Sequence, residues 1–160
     1  MRIRTGTFVL LAAIVATTLP RTAGAAQRLI DARQVASDTL RDVAVTVFVH
    51  DRAIIYYNPT LLQTIGPALS EFFIAHEYGH VRYGESGAAL TAAGADWGAL
   101  RQRQELEADC YAARALAERN PEAVQSAVAF FRRMGPFRFD NLHPSGAQRA
   151  AKILACLPEH

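Results

Sequence analysis

The sequence predicts a single α+β domain, mostly helical, with a small two- or three-stranded β-sheet ahead of its main helices. Three observations carry this expectation. Between residues 43 and 57 the apolar side chains alternate and are largely β-branched. From Pro67 onward they recur at helical spacing. Asn58-Pro59, Gly84, Asn120-Pro121 and Gly135-Pro136 cut the chain into segments of strand and helix length. With 160 residues, 51% hydrophobic and 20% charged, the chain can bury one core and is too short for two. This composition excludes a disordered or collagen-like chain, and two cysteines exclude a disulfide-dense miniprotein.

Residues 1–25 read as an export signal and not as part of the fold. Arg2 and Arg4 precede an apolar run over residues 8–19, and Pro20, Arg21 and the small residues Ala23-Gly24-Ala25-Ala26 follow it. Cleavage is expected after Ala25 or Ala26. The run is too short to cross a bilayer comfortably, so no permanent membrane span is expected. The mature chain would work outside the cytoplasm, periplasmic or secreted. Without the signal, 14 basic residues face 15 acidic ones, which leaves no electrostatic footing for nucleic acid.

The elements of the mature chain follow from local pattern. Residues 27–41 place Leu29, Ile30, Val35 and Leu40 as an amphipathic helix would. Residues 43–49 alternate, with Val43, Val45, Val47 and Val49 on one face, as in a strand. Asp51-Arg52 suits a tight turn into a second strand at 53–57, which Asn58-Pro59 closes. Helices are expected at 67–82, ending near Gly84, at 100–119, at 122–134, and from Pro144 to about Leu157.

The chemistry concentrates in two of these helices. His76-Glu77-Tyr78-Gly79-His80 has the form H-E-x-x-H. Residues four apart in a helix lie one turn above each other, so both imidazoles can reach one ion at about 2.0–2.1 Å. The glutamate beside the first histidine can then stand next to a metal-activated water and take its proton. The two histidines extend the apolar stripe of Leu69, Phe72 and Phe73, where unpaired rings would suffer desolvation that an ion relieves. The next strong helix carries Glu105-Leu106-Glu107-Ala108-Asp109. Glu105 and Asp109 share a face with Ala112, Ala113 and Leu116, opposite Arg103, Glu107, Arg114 and Glu118, so both carboxylates are expected to point inward. Buried carboxylates need a cation or a donor. Glu105 is therefore the expected third metal ligand, with Glu107 as its rival. Asp109 is expected to accept a hydrogen bond from the outer nitrogen of a ligand histidine. Two imidazoles and one carboxylate leave one position open, the arrangement of catalytic zinc. Cys110 and Cys156, an even pair in an exported chain, suit a disulfide, with two separate buried thiols as the alternative.

On these residues the chain resembles the gluzincin metallopeptidases, and among them the HtpX-like and CAAX-prenyl-protease-like family, including its small soluble members. The matching pieces are the strand region, His76-Glu77-Tyr78-Gly79-His80, Glu105-Leu106-Glu107-Ala108-Asp109, and His143-Pro144 followed by Arg149. The resemblance implies a zincin-like domain over residues 26–160 and a zinc-dependent endopeptidase acting on a polypeptide substrate. It implies Zn2+ on His76, His80 and Glu105, and Glu77 as general base. His143 is implied as a candidate substrate or oxyanion contact, and Tyr83 and Tyr111 are further candidates for the oxyanion. It also implies an edge strand for the substrate, for which residues 53–57 are the candidate. The larger family members carry membrane helices, which this sequence lacks beyond its signal. The competing expectation is a non-catalytic zinc-containing binding or regulatory domain on the same scaffold, against which the intact Glu77 argues.

Overall fold

The computed structural model describes residues 32–50, 52–84 and 97–158. The export signal expected at residues 1–25, its cleavage point and residues 27–31 of the first expected helix lie outside them. The described chain runs β1 (Arg33–Ala36), β2 (Ala44–Val49), β3 (Arg52–Tyr57), α1 (Pro59–Ile65), α2 (Pro67–Tyr83), α3 (Trp97–Leu116), α4 (Pro121–Met134) and α5 (Gly146–Ala155). This is an α+β architecture with a small sheet before the H-E-x-x-H helix.

The sheet has strand order β1-β3-β2. β2 and β3 form an antiparallel hairpin whose register runs from Val49↔Arg52 to Ala44↔Tyr57. At its tip His50 takes a positive φ of 46°, which is uncommon for a residue with a Cβ. The helix expected over residues 27–41 is overturned in its described part. Arg33–Ala36 instead pairs parallel with β3, from Arg33↔Ile54 to Ala36↔Tyr57, and Ser37 N–H extends the ladder to Tyr57 O at 2.8 Å. Four apolar positions in fifteen residues define a helical face weakly, and an unpaired flank of β3 offers a full row of backbone partners. The strand proposed as the sheet edge, residues 53–57, is thus the central one. The sheet edges among the described residues are β1 and β2.

The face of the sheet turned to the core is also not the valine face. Ala44, Thr46, Ala53 and Ile55 are buried, while Val45, Val47, Ile54 and Tyr56 are only partly covered. The inward row packs with Val81, Ile74 and Tyr78 of α2. Asn58, where β3 stops, caps α1: its side-chain oxygen accepts from the Thr60 and Leu61 amides, and its side-chain nitrogen donates to Leu40 O.

On the other side of α2 lies the main core. Leu69, Phe72 and Ala75 meet Leu116 of α3, Phe131 of α4 and Ile153 of α5. Proline at the first position of α2 and a left-handed Gly84 after its last residue bound that helix. Ser145 starts α5 through a reciprocal capping box with Gln148. A disulfide joins Cys110 of α3 to Cys156, with Cα atoms 5.4 Å apart.

One close approach sets how α2 and α3 meet. A Cβ built on Gly79 would come within 2.7 Å of the Ala108 Cα. Real Cβ atoms do not tolerate that distance, so α2 and α3 cross with backbones in contact only because position 79 has no side chain. The variable fourth position of the H-E-x-x-H motif is, in this chain, the packing point that brings the two site helices together.

Candidate metal centre

α2 delivers His76 and His80 from adjacent turns of one face, and α3 delivers Glu105 from the turn before its contact with Gly79. All three side chains are buried. His76 Nε2 lies 3.2 Å from Glu105 Oε2, and His80 Nε2 lies 3.4 Å from Glu105 Oε1. The two Nε2 atoms are 3.1 Å apart. One donor atom from each residue fits within a mutual 4.8 Å, the only grouping among the described residues that could hold a metal ion. The rings stand nearly perpendicular, at 85°, with their centroids 4.8 Å apart. Glu107, the rival, is about half exposed and pairs with Lys152 Nζ at 2.6 Å, so it points away from the centre.

A buried ion-pair network backs the ligands. Asp109 Oδ1 sits 2.9 Å from His76 Nδ1, where the sequence placed it. Arg149 of α5 closes on Asp109 with both arms, Nε to Oδ2 at 2.8 Å and Nη2 to Oδ1 at 2.6 Å. Its guanidinium carbon rests 4.1 Å from the centre of the Phe131 ring. With Asp109 accepting at Nδ1, the Nε2 lone pair of a neutral His76 would be the one left to face an ion.

The titration behaviour follows from these partners. Burial alone would make His76 a weaker base, but hydrogen bonds to Asp109 and Glu105 outweigh it and raise its pKa to about 9. Burial would likewise raise Glu105, yet the His76 and His80 rings hold it well below the ordinary carboxylate value. Asp109 is buried as well, and Arg149 dominates in keeping its pKa low. In metal-free protein the centre is therefore an ionised His76–Glu105 and His76–Asp109 assembly, and an ion entering it displaces the His76 proton.

Glu77, next to His76 in the chain, is buried. Thr46 of β2 lies within reach of two of its oxygens, with Oγ1 2.8 Å from Glu77 Oε2 and 3.0 Å from the Glu77 carbonyl. His143 is placed elsewhere in the chain order, in the loop between α4 and α5. Its Nδ1 is 2.8 Å from Asp140 Oδ1, and the same oxygen accepts the Leu142 and His143 amides. These bonds outweigh a slight burial and hold the Asp140 carboxyl below its usual value. Tyr83 is half exposed at the end of α2. Tyr111 is buried on α3, and that burial raises its phenol pKa.

Two residues, Thr46 and Arg101, escaped the sequence reading, and the partner of a third, Arg149, escaped it too. Thr46 had a signal, as the one hydroxyl in the otherwise apolar strand Ala-Val-Thr-Val-Phe-Val. Arg101 stands four residues before Glu105 and so on its face; its Nη2 is 2.9 Å from Glu105 Oε1. Arg149 was noted only as part of a motif, and its partnership with Asp109 spans 40 residues. A comparison with protein-family models, curated proteins and solved structures finds no match for the chain.

Proposed function

We propose that this chain is a zinc-dependent endopeptidase, exported by way of residues 1–25 and acting on polypeptides of the cell envelope. The observation that carries the reading is the buried convergence of His76, His80 and Glu105, with Glu77, buried and next to His76 in the chain, as the available base. Two imidazoles and one carboxylate are a donor set that suits zinc, whereas magnesium and calcium favour all-oxygen sets. Zn2+ held there supplies Lewis acidity toward a peptide carbonyl and a lowered pKa for water.

The chain's own residues do the rest. Thr46 donates to Glu77 Oε2 and turns the carboxylate so that Oε1 is the oxygen left to take a proton from water. Asp109, itself held by Arg149, keeps the His76 Nδ1 proton in place. β2 carries Thr46 and is an edge strand among the described residues, so an extended substrate pairing along it would pass close to Glu77. This moves the substrate-pairing role from residues 53–57 to β2. His143 remains the candidate for a substrate or oxyanion contact. Its loop is tied to the start of α3 by a 2.9 Å bond from Gln102 Nε2 to Asn141 O. The Cys110–Cys156 disulfide is compatible with a periplasmic or secreted location. Among the described residues no helix is long and apolar enough to cross a membrane.

The direct test is Glu77→Gln in the mature chain. The variant should keep one zinc per molecule and lose casein cleavage by at least about 10²–10⁴-fold, the usual contribution of a positioned base. Equal cleavage by the two proteins would remove Glu77 from the reaction.

A further inference from the structure

Arg101 lies one helical turn before Glu105, with its side chain 16% exposed against 3% for its partner. Exposed Arg–Glu pairs at this spacing are common and contribute little. This pair is different, because it is withdrawn from water and one of its ends belongs to the candidate metal centre. Arg101 Nη2 is 2.9 Å from Glu105 Oε1, while Nη1 is buried without a hydrogen-bond partner. A guanidinium fork matches a carboxylate with two parallel bonds when geometry allows. Here only one is made, and only one Glu105 oxygen is engaged by it.

The two oxygens of Glu105 are consequently unequal. Oε1 faces both Arg101 Nη2 and His80 Nε2, at 2.9 and 3.4 Å. Oε2 faces His76 Nε2 at 3.2 Å. The turn that carries Arg101 is also braced from outside. Gln102 is bonded to Asn141 O, and a Cβ on Gly98 would touch that same oxygen at 3.7 Å.

We propose that Arg101 is a positioning residue that tethers Oε1, so that Glu105 meets the ion through Oε2 alone. A carboxylate with both oxygens free can close on a zinc ion with both and, beside the water of the open corner, raise a four-coordinate site to five. The tether prevents this. It also sets a cation beside the ion, which weakens metal binding. The proposal rests on the metal-centre reading above and refines how Glu105 serves it.

The test is a Zn2+ titration against a competing chelator, together with the visible spectrum of the Co2+-loaded protein, for wild type, Arg101→Met and Arg101→Lys. The wild type should give the strong absorption of four-coordinate Co2+. Arg101→Met should bind Zn2+ at least as tightly as wild type, yet its Co2+ absorption should fall several-fold as the second oxygen joins. Arg101→Lys, which keeps the charge and one donor, should return the wild-type spectrum. A wild-type-like spectrum in Arg101→Met, or the Met spectrum in Arg101→Lys, overturns the proposal. So does a weak, five- or six-coordinate spectrum in the wild type, a result that needs no variant to fold. A wild type that binds no ion would sink the metal centre itself. Strong four-coordinate Co2+ without casein cleavage would instead leave the tether standing and count against the peptidase reading.

Discussion

At the scale of single residues the candidate centre is governed by competition between one proton and one ion. His76 has a pKa near 9 when folded and metal-free, against 6.5 for an unperturbed ring. Its contribution to metal-free stability is thus complete below pH 6.5 and lost as pH rises through about 9. Glu105 and Asp109 run the other way: held low by their partners, they stabilise above the ordinary carboxylate range and stop doing so as pH falls through their folded values. Metal binding must expel the His76 proton. Zinc affinity should accordingly rise about tenfold per pH unit from pH 6.5 toward 9 and then level. Calorimetry in buffers of different ionisation heat should find about one proton released per ion at pH 7; no release would show that His76 does not carry the proton. His76, His80, Glu105 and Asp109 were legible as one buried cluster because four-residue spacing decides which side chains share a helix face, whereas Glu77 was marked only by its place in the motif next to His76. Thr46, Arg101 and Arg149 gave weaker signals or none, because what they touch is decided by packing. Thr46 is on a strand whose inward row could not be told from its outward row, and Arg149 finds Asp109 only after α5 has docked.

At the scale of elements, α2 and α3 are coupled through a single missing side chain. Gly79→Ala would place a methyl 2.7 Å from the Ala108 Cα and 3.0 Å from its Cβ, and the helices must part to admit it. Overpacking of this kind typically costs about 1–3 kcal/mol. Ala108 lies between Glu105 and Asp109 in the chain, so the variant should lose zinc affinity as well as stability. Thermal unfolding and a zinc titration measure the two, and a variant unchanged in both would refute the close approach. The bounds of α2 and α4 were legible because Pro67, Gly84 and Asn120-Pro121 act locally. β1 was not, since a parallel partner some twenty residues away decides it. α1 was missed for a related reason: Asn58-Pro59 signals the end of a strand and the start of a helix equally well.

At the scale of the whole molecule, α2 lies between two apolar clusters, with Val81 on the sheet side and Leu69, Phe72 and Ala75 on the helical side. The candidate centre sits where α2 meets α3. The sequence specified an α+β fold and most of its segments, but not which strand lies central or which helix bridges the clusters, because those are choices among non-local pairings. The Cys110–Cys156 disulfide closes a loop with a sequence separation of 46, a constraint of about 4 kcal/mol in the chain-entropy model. Reduction, or replacement of both cysteines by serine, should lower the melting temperature by roughly 10 °C. Zinc affinity should fall too, because Cys110 adjoins Asp109. Unchanged melting would assign the bridge no structural weight. The order of the chain has a consequence of its own. All three candidate metal ligands lie upstream of residue 106, whereas the guanidinium that clamps Asp109 arrives with α5. A chain emerging from its N-terminus therefore presents every candidate ligand well before it presents the clamp, and one cut short before α5 would offer an ion all three side chains with Asp109 unheld.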